Sequence, residues 1–343
     1  MLSEADDPLV NGKIPSTEGR DPAYFSYYAM LQHQKVYAVE ASQMAEKMRK
    51  LVETANAAES DGLAKNAFLK DKIEVIQAKI EDPDLPIPKV DTIISEPIGV
   101  LLIHERMLES YLYARDTYLK PGGTLFPSTG SIFLAPFSDA ALWSETMGKA
   151  RFWEQPSFYG VDLSALYSDA KDEMFGNFDP RTLIAQANPG GYVVDFYTVT
   201  MEELQDMTIP FIWQASYTGI IHGIAGWFDL HFSPPPSVPS GNTIAMSTGP
   251  AAERTHWQQV RFLLKEPLAV NAEAEIMVGE GQLTNPTIPL TSIYSLDFNR
   301  RRGKWRLHEQ TYNYNYYPQS DNLFRPEYNC LYEPEHPLDT TVV

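Results

Sequence analysis

The apolar residues of this chain change their spacing near residue 125, and a single kind of layer cannot serve both halves. Upstream, "KVYAVEA" (35–41), "DKIEVIQAKI" (71–80) and "KVDTIIS" (89–95) are short β-rich runs. After the first of them, "QMAEKMRKLVETANAA" (43–58) spaces Met44, Met48, Leu51 and Val52 along one helical face, with Ser42 placed as its cap. A second helix is predicted from about Glu105 to Leu119, stopped by "KPGG". Strands that alternate with helices imply parallel pairing in an α/β sheet. Downstream, "SIFLAPF", "GYVVDFYTV", "IPFIWQASY", "GIAGWFDLHF" and "HWQQVRFLL" recur between turn residues, the pattern of a barrel or sandwich. The segment 154–180 interrupts that pattern as an insertion of loop and short helices. From about Glu309 the chain is rich in Tyr, Asn and Pro and is expected to be a tail.

Composition narrows the partners. A length of 343 residues suggests two domains, and a hydrophobic share of 43% is ample for their cores. The net charge of −18 disfavours direct binding to nucleic acid or to an anionic membrane, because both reward clustered Lys and Arg. It leaves a basic partner open, or solubility alone. One cysteine, Cys330, cannot build an internal disulfide framework or a thiolate zinc cluster, which points to a reducing compartment. The acidic start "MLSEADDPLV" lacks the signature of a signal peptide, and no window approaches the roughly 20 apolar residues of a membrane span. The expected location is intracellular, in the nucleus and cytoplasm.

Chemistry concentrates in "SEPIGVLLIHERMLESY" (95–111). Ligands of α/β sheets sit beyond the carboxyl ends of the strands, and "VDTIIS" delivers Ser95, Glu96 and Pro97 to that rim. Glu105 lies nine positions on, so a folded loop could return it to face Glu96. Two such carboxylates suit a general acid with its base, a metal site, or a clamp for a planar cation. A metal would want further ligands, and only His104 and Glu109 are near. The plain alternative makes Glu105 a helix-terminus residue and Glu96 a surface loop residue, and spacing alone favours it.

Four separated motifs add a resemblance. The run "SEPIGVLLIHERMLESYL" with "YLKPGGTLFPS" resembles the glutamate loop and following helix of protein arginine methyltransferases. "FWEQPSFYGVDLSAL" (152–166) is similar to the dimerisation arm of the coactivator-associated, type I, histone-modifying branch. "MSTGPAAERTHWQQVRFLL" (246–264) and "YFSYY" (24–28) resemble its THW loop and the aromatic motif that covers the cofactor. The resemblance implies an α/β plus β fold. An incomplete Rossmann-like S-adenosylmethionine methyltransferase domain, in 1–126 with an N-terminal segment, precedes a β-barrel substrate domain in 127–308. A helical arm lies at about 145–185, and a tail at 309–343.

Residue roles follow from the same resemblance. Glu96 and Glu105 would clamp the substrate guanidinium, and His256 would help to shape the site with Trp257 behind it. Glu40 would hold the cofactor ribose, Lys79, Ile80 and Glu81 the adenine, and Met107 and Ser110 would line the pocket under a lid of Tyr24, Phe25 and Tyr28. The implied activity is transfer of methyl from S-adenosylmethionine to arginine in histones or other proteins, with asymmetric dimethylation, by a homodimer and without metal. The alternative is an inactive homologue that dimerises or binds. One departure is large. The family has a strand, a glycine-rich turn and a helix between the aromatic motif and the acidic strand, whereas only the seven residues 29–35 lie between Tyr28 and Val36. A strand, crossover helix and strand need about 30 residues, so that unit, with the glycine turn at the cofactor's methionine end, is missing.

Overall fold

The computed structural model of the protein describes residues 35–54, 71–167, 170, 180–234, 243–257, 259–272, 276–284, 291–298 and 301–308, with side chains placed as far as residue 272. Two compact units are distinguished. The described residues of the smaller fall within Ala38–Lys79, and those of the larger are 35–37 and the described part of Ile80–Glu309.

In the smaller unit, β1 (Val36–Val39) leads into α1 (Met44–Glu53), and β2 (Ile73–Ile76) pairs with β1. The Glu40 N–H donates to Ile76 O at 3.0 Å and Ala78 N donates to Glu40 O at 3.2 Å. One residue thus bonds to both neighbours of Gln77, which is the parallel ladder expected from the sequence. The apolar face of α1 is partly covered, with Met48 and Val52 half-buried. Ala45 is its buried residue, while Met44 and Leu51 are 52% and 60% exposed. A pair of strands is too narrow to cover a whole helical stripe, so part of the stripe stays open. Ser42 does take the Met44 N–H, at 3.1 Å, although the formal cap is Gln43.

In the larger unit, β3 (Val90–Ile94) and β4 (Leu119–Phe126) pair in parallel through α2 (Met107–Tyr118). The helix is shorter than the predicted 105–119, and "KPGG" is not its stop. Leu119 turns extended at once (φ −73°, ψ 136°), and Lys120, Pro121, Gly122 and Gly123 continue as strand. Gly122 at φ +75° absorbs a register shift opposite Val90 and Thr92, so the glycines make a bulge rather than an end. Among the described residues no strand joins β1–β2 to β3–β4.

The remaining strands are antiparallel. They are β5 (Thr129–Phe137), β6 (Tyr192–Asp195), β7 (Asp206–Gln214), β8 (Gly219–Phe232), β9 (Ile244–Ser247), β10 (Val260–Val270), β11 (Ile276–Thr284), β12 (Thr291–Phe298) and β13 (Arg301–His308). One sheet runs β10-β8-β5-β6 with β9 beside β8, the other runs β13-β12-β11-β7, and β10 also meets β13. Strict alternation in β7 sends Met207, Ile209, Phe211 and Trp213 inward, where they join Ile221, Phe228 and Leu230 of β8 in one core. The free edge of β7 is closed by an amide. Asn188 accepts from Ile212 N at 3.2 Å and donates to Pro210 O at 3.0 Å, standing in for a neighbouring strand.

The segment after β5 forms α3 (Ala140–Ala150) and the 3₁₀ turns Arg151–Glu154, Ser164–Leu166 and Pro180–Thr182, so the departure from strand begins before the predicted 154–180. Its root is fixed to the sheet. Asp139 caps α3 by accepting from Leu142 N at 2.9 Å, and the Trp143 indole donates to Leu264 O at 2.7 Å. Beyond the root, Phe152, Phe158, Tyr159 and Val161 are exposed, with Phe158 meeting both Phe152 and Tyr159 edge to face at 5.4 and 4.8 Å.

Candidate functional site

The segment between β3 and α2 is shaped by four residues in the left-handed region: Leu101 (φ 55°), Leu102 (φ 75°), Glu105 (φ 64°) and Arg106 (φ 57°). Each such residue costs about 1–3 kcal/mol. Packing supplies the offset. Leu101 and Leu102 are 1% and 0% exposed, and burying a leucine contributes about 1.5–3 kcal/mol. They fit because the β domain offers glycine at the points of contact: a Cβ on Gly226 would come within 2.8 Å of Leu101 Cδ1, and one on Gly130 within 2.7 Å of Leu102 Cδ1. The loop is thereby plugged into β8 and β5.

That anchor returns Glu105 toward the strand end. Gly99 and Leu102 exchange backbone hydrogen bonds at 3.2 and 3.0 Å, making a tight hairpin. The Glu105 side chain then lies on Gly99, where an added Cβ would meet its Cγ at 2.8 Å. Glu96 is three residues before Gly99, a backbone reach of about 10 Å at most, so both residues belong to the short segment between β3 and α2. Glu96 is exposed and Glu105 half-buried. Arg106 turns away to pair with Glu109 through Nε and Nη2 at 3.0 and 2.8 Å. That pair withdraws Glu109 from any shared role with Glu105.

From the far end of the β domain comes His256, whose Nε2 stands 3.6 Å from Glu96 Oε1. Both groups are open to solvent, at 69% and 46% exposed, so the pair is weak in itself and addressable by a ligand. Trp257 is buried behind it, its ring 3.8 Å from the imidazole and edge-on to Phe228 at 6.0 Å. Helix α2 is held under the loop by Tyr111, whose hydroxyl donates to Pro127 O at 2.8 Å. Burial pushes that hydroxyl well above the usual tyrosine range, so it remains a donor.

The residues expected to hold a cofactor divide between the units. Glu40 ends β1, and its carboxylate accepts from Ser42 N at 2.7 Å, which fixes its side chain at the turn. Lys79 is exposed and Ile80 half-buried in the turn after β2. In the larger unit the Ser110 hydroxyl donates to the Glu81 carboxylate, and Met107 is 45% exposed at the start of α2. Within the larger unit, a carboxylate acceptor at Glu81 and an open thioether face at Met107 have the chemistry that a nucleoside takes. Tyr24, Phe25 and Tyr28 lie outside the described residues.

Sequence reasoning missed a buried hydrogen bond across the loop that carries His256. Gln259 is 8% exposed and donates to Thr248 O at 2.7 Å, and Thr248 is 2% exposed. The available signal was an uncharged amide placed where "HWQQVRFLL" turns apolar. Gly99 was readable beside Pro97 as a turn residue, but not as the floor on which the Glu105 side chain rests.

Fold and site together define a methyltransferase-type α/β segment that presents a carboxylate loop to an antiparallel β domain with a projecting arm. Residues 128–301 match the family described as "Arginine methyltransferase oligomerization subdomain". The chain is 42% identical over 274 residues to "Probable histone-arginine methyltransferase 1.4" of Arabidopsis thaliana, covering 78% of this chain and 48% of that protein. It is 40% identical over 297 residues to "Histone-arginine methyltransferase CARMER" of Drosophila yakuba, covering 85% of this chain and 49% of that one. Among solved structures it resembles the Trypanosoma brucei PRMT1 enzyme-prozyme complex with AdoHcy, with a TM-score of 0.68 at 23% identity over 84% of this chain and 86% of that chain. Arabidopsis thaliana protein arginine methyltransferase 10 gives a TM-score of 0.64 at 25% identity, over 83% and 85% of the two chains. The chain belongs to the protein arginine methyltransferase family, with that family's Rossmann-like and β-barrel architecture. It spans about half the length of the two relatives just named.

Proposed function

We propose that the rim formed by Glu96, Glu105 and His256 receives the guanidinium of an arginine side chain in a protein substrate, histone tails included, for methylation. The observation that carries this reading is the loop itself: plugged into the β domain by Leu101 and Leu102, it folds Glu105 onto Gly99 and leaves Glu96 beside His256. A guanidinium offers five N–H donors in one plane and stays charged at neutral pH, so two carboxylates on one rim match it better than they match a metal.

The chemistry follows from charge. Delocalisation leaves the free guanidinium with no nucleophilic lone pair. Carboxylates that accept from two of its nitrogens draw positive charge to those positions and leave density on the third. Fixing that nitrogen in line for attack supplies much of the acceleration. Glu105, half-buried, is the stronger electrostatic partner, and exposed Glu96 shares its carboxylate between substrate and His256. Bound S-adenosylmethionine supplies an electrophilic methyl on a sulfonium sulfur. Glu81, Ser110 and Met107 of the larger unit are the residues that would hold its nucleoside end. The attacking nitrogen loses a proton as its new N–C bond forms, and the clamp carboxylates are placed to accept it.

The proposed product is asymmetric dimethylarginine, the proposed assembly a homodimer through the exposed aromatic arm, and the proposed location the nucleus, with a cytoplasmic pool. The deciding experiment incubates this chain with S-adenosylmethionine and an arginine-rich histone tail, beside calorimetry of cofactor binding. Methylarginine by mass spectrometry, reduced by about 10²–10³-fold in Glu105→Gln, is the expected result. Cofactor binding without product, or full activity in Glu105→Gln, removes the clamp reading. A stable dimer that binds no cofactor establishes the inactive homologue instead.

A further inference from the structure

His256 is 69% exposed, yet it must stay within reach of Glu96. It stands in the loop 248–259, which leaves β9 and enters β10, and closing the mouth of that loop restricts where the ring can go. The mouth is closed by side chains. At its start, Thr248 is locked to Phe228 three times: its N–H donates to Phe228 O at 3.0 Å, its hydroxyl donates to the same oxygen at 2.9 Å, and it accepts from Phe228 N at 3.1 Å. The preceding Ser247 hydroxyl accepts from Gly249 N at 3.1 Å and bonds to the Asp229 carboxyl.

Across the mouth, Gln259 donates from Nε2 to Thr248 O at 2.7 Å, with both residues buried. The far end of the loop returns to the same place, because Trp257 packs edge-on against the Phe228 ring. Thr255 tightens that end by donating its hydroxyl to Trp257 O at 3.1 Å. Both ends are therefore registered on Phe228, and Gln259 bridges them.

We infer that Gln259 is a positioning residue for the proposed arginine site, acting through Thr248 to hold His256 against Trp257 and opposite Glu96. The inference deepens the guanidinium reading and rests on it for its catalytic meaning, but not for its structural content. Without the amide donor, the Thr248 carbonyl is left buried with one partner fewer, and the loop opens to regain water. His256 then leaves the face of Trp257.

The test is nuclear magnetic resonance of the His256 ring protons, assigned by their loss in His256→Gln. Stacking on Trp257 shifts them upfield in the unaltered protein. Gln259→Met keeps the length and removes the donor; Gln259→Asn is a milder truncation should the first not fold. Thr248→Val removes the hydroxyl, whereas Thr248→Ser retains it. In folded protein, checked by near-ultraviolet circular dichroism, the Gln259 variants and Thr248→Val are expected to lose at least half of the upfield shift, and Thr248→Ser to keep it. An unchanged His256 signal in a folded Gln259 variant overturns the inference, as does absence of the upfield shift in the unaltered protein. A short arginine peptide titrated by calorimetry separates the two readings. Its affinity should fall about fivefold in Gln259→Met, the worth of one hydrogen bond. If the peptide binds no form of the protein, the guanidinium reading fails while the His256 signal still decides the role of Gln259.

Discussion

Asp229 sits half-buried on β8, and burial raises its carboxyl above the ordinary value near 3.8, with the Ser247 hydroxyl and His231 pulling the other way. A raised acid stabilises the fold most below its unfolded value and loses that contribution as pH rises through the folded one. Asp229→Asn, which can still accept from Ser247, is therefore expected to raise the melting temperature at pH 7. The gain should shrink as pH falls and vanish below about pH 4. Thermal scans of both proteins across that range check the sign. Gly99 gives the second prediction at this scale. Gly99→Ala puts a methyl 2.8 Å from Glu105 Cγ, so the jaw is pushed off its floor. Binding of an arginine peptide should weaken at least tenfold while the melting temperature changes little, because the half-buried loop can yield. A sequence shows a carboxylate but not the gap it fills, which is why Glu105 was legible in its motif and Gly99 only as a turn residue, not as the floor under that side chain.

Helix α2 links the loop to the β domain, and Arg115 is its main tie. One guanidinium nitrogen donates to Phe196 O and Val199 O at 2.9 and 2.8 Å, while Nε and Nη2 hold Asp116 at 2.7 and 3.0 Å. Arg115→Met leaves two carbonyls without their charged donor and should destabilise by about 2–3 kcal/mol in urea titration. Element existence was readable here, since Leu108, Tyr111, Leu112 and Tyr118 repeat at helical spacing and are buried. Element ends were not. The helix stops at Tyr118 because the next residues find a parallel partner in β3, so "KPGG" serves a strand bulge and not a cap. The helical spacing of α1 was readable too, but periodicity did not report that Met44 and Leu51 stay exposed.

At the scale of the whole molecule, the arm carries the prediction. Tyr159 is 94% exposed beside exposed Phe152 and Phe158, an apolar surface that a soluble chain covers by association. Tyr159→Asp with Phe152→Asp is expected to convert a dimer to a monomer by light scattering without lowering the melting temperature of the β domain. A monomer before the substitutions would remove the dimer proposal. The sequence by itself determined the two kinds of layer, the β alternation that fills one core, the arm, and the motifs that place the chain in its family, because these depend on short-range periodicity and residue type. The shortness of the stretch between Tyr28 and Val36 was legible in the same way, and among the described residues β1 pairs with β2 and β3 with β4. Only the tertiary structure decided which residues meet across the chain. The glycines that receive Leu101 and Leu102, the approach of His256 to Glu96, and the bridge from Gln259 to Thr248 each join residues from different elements, and packing forces set such contacts without leaving a local mark.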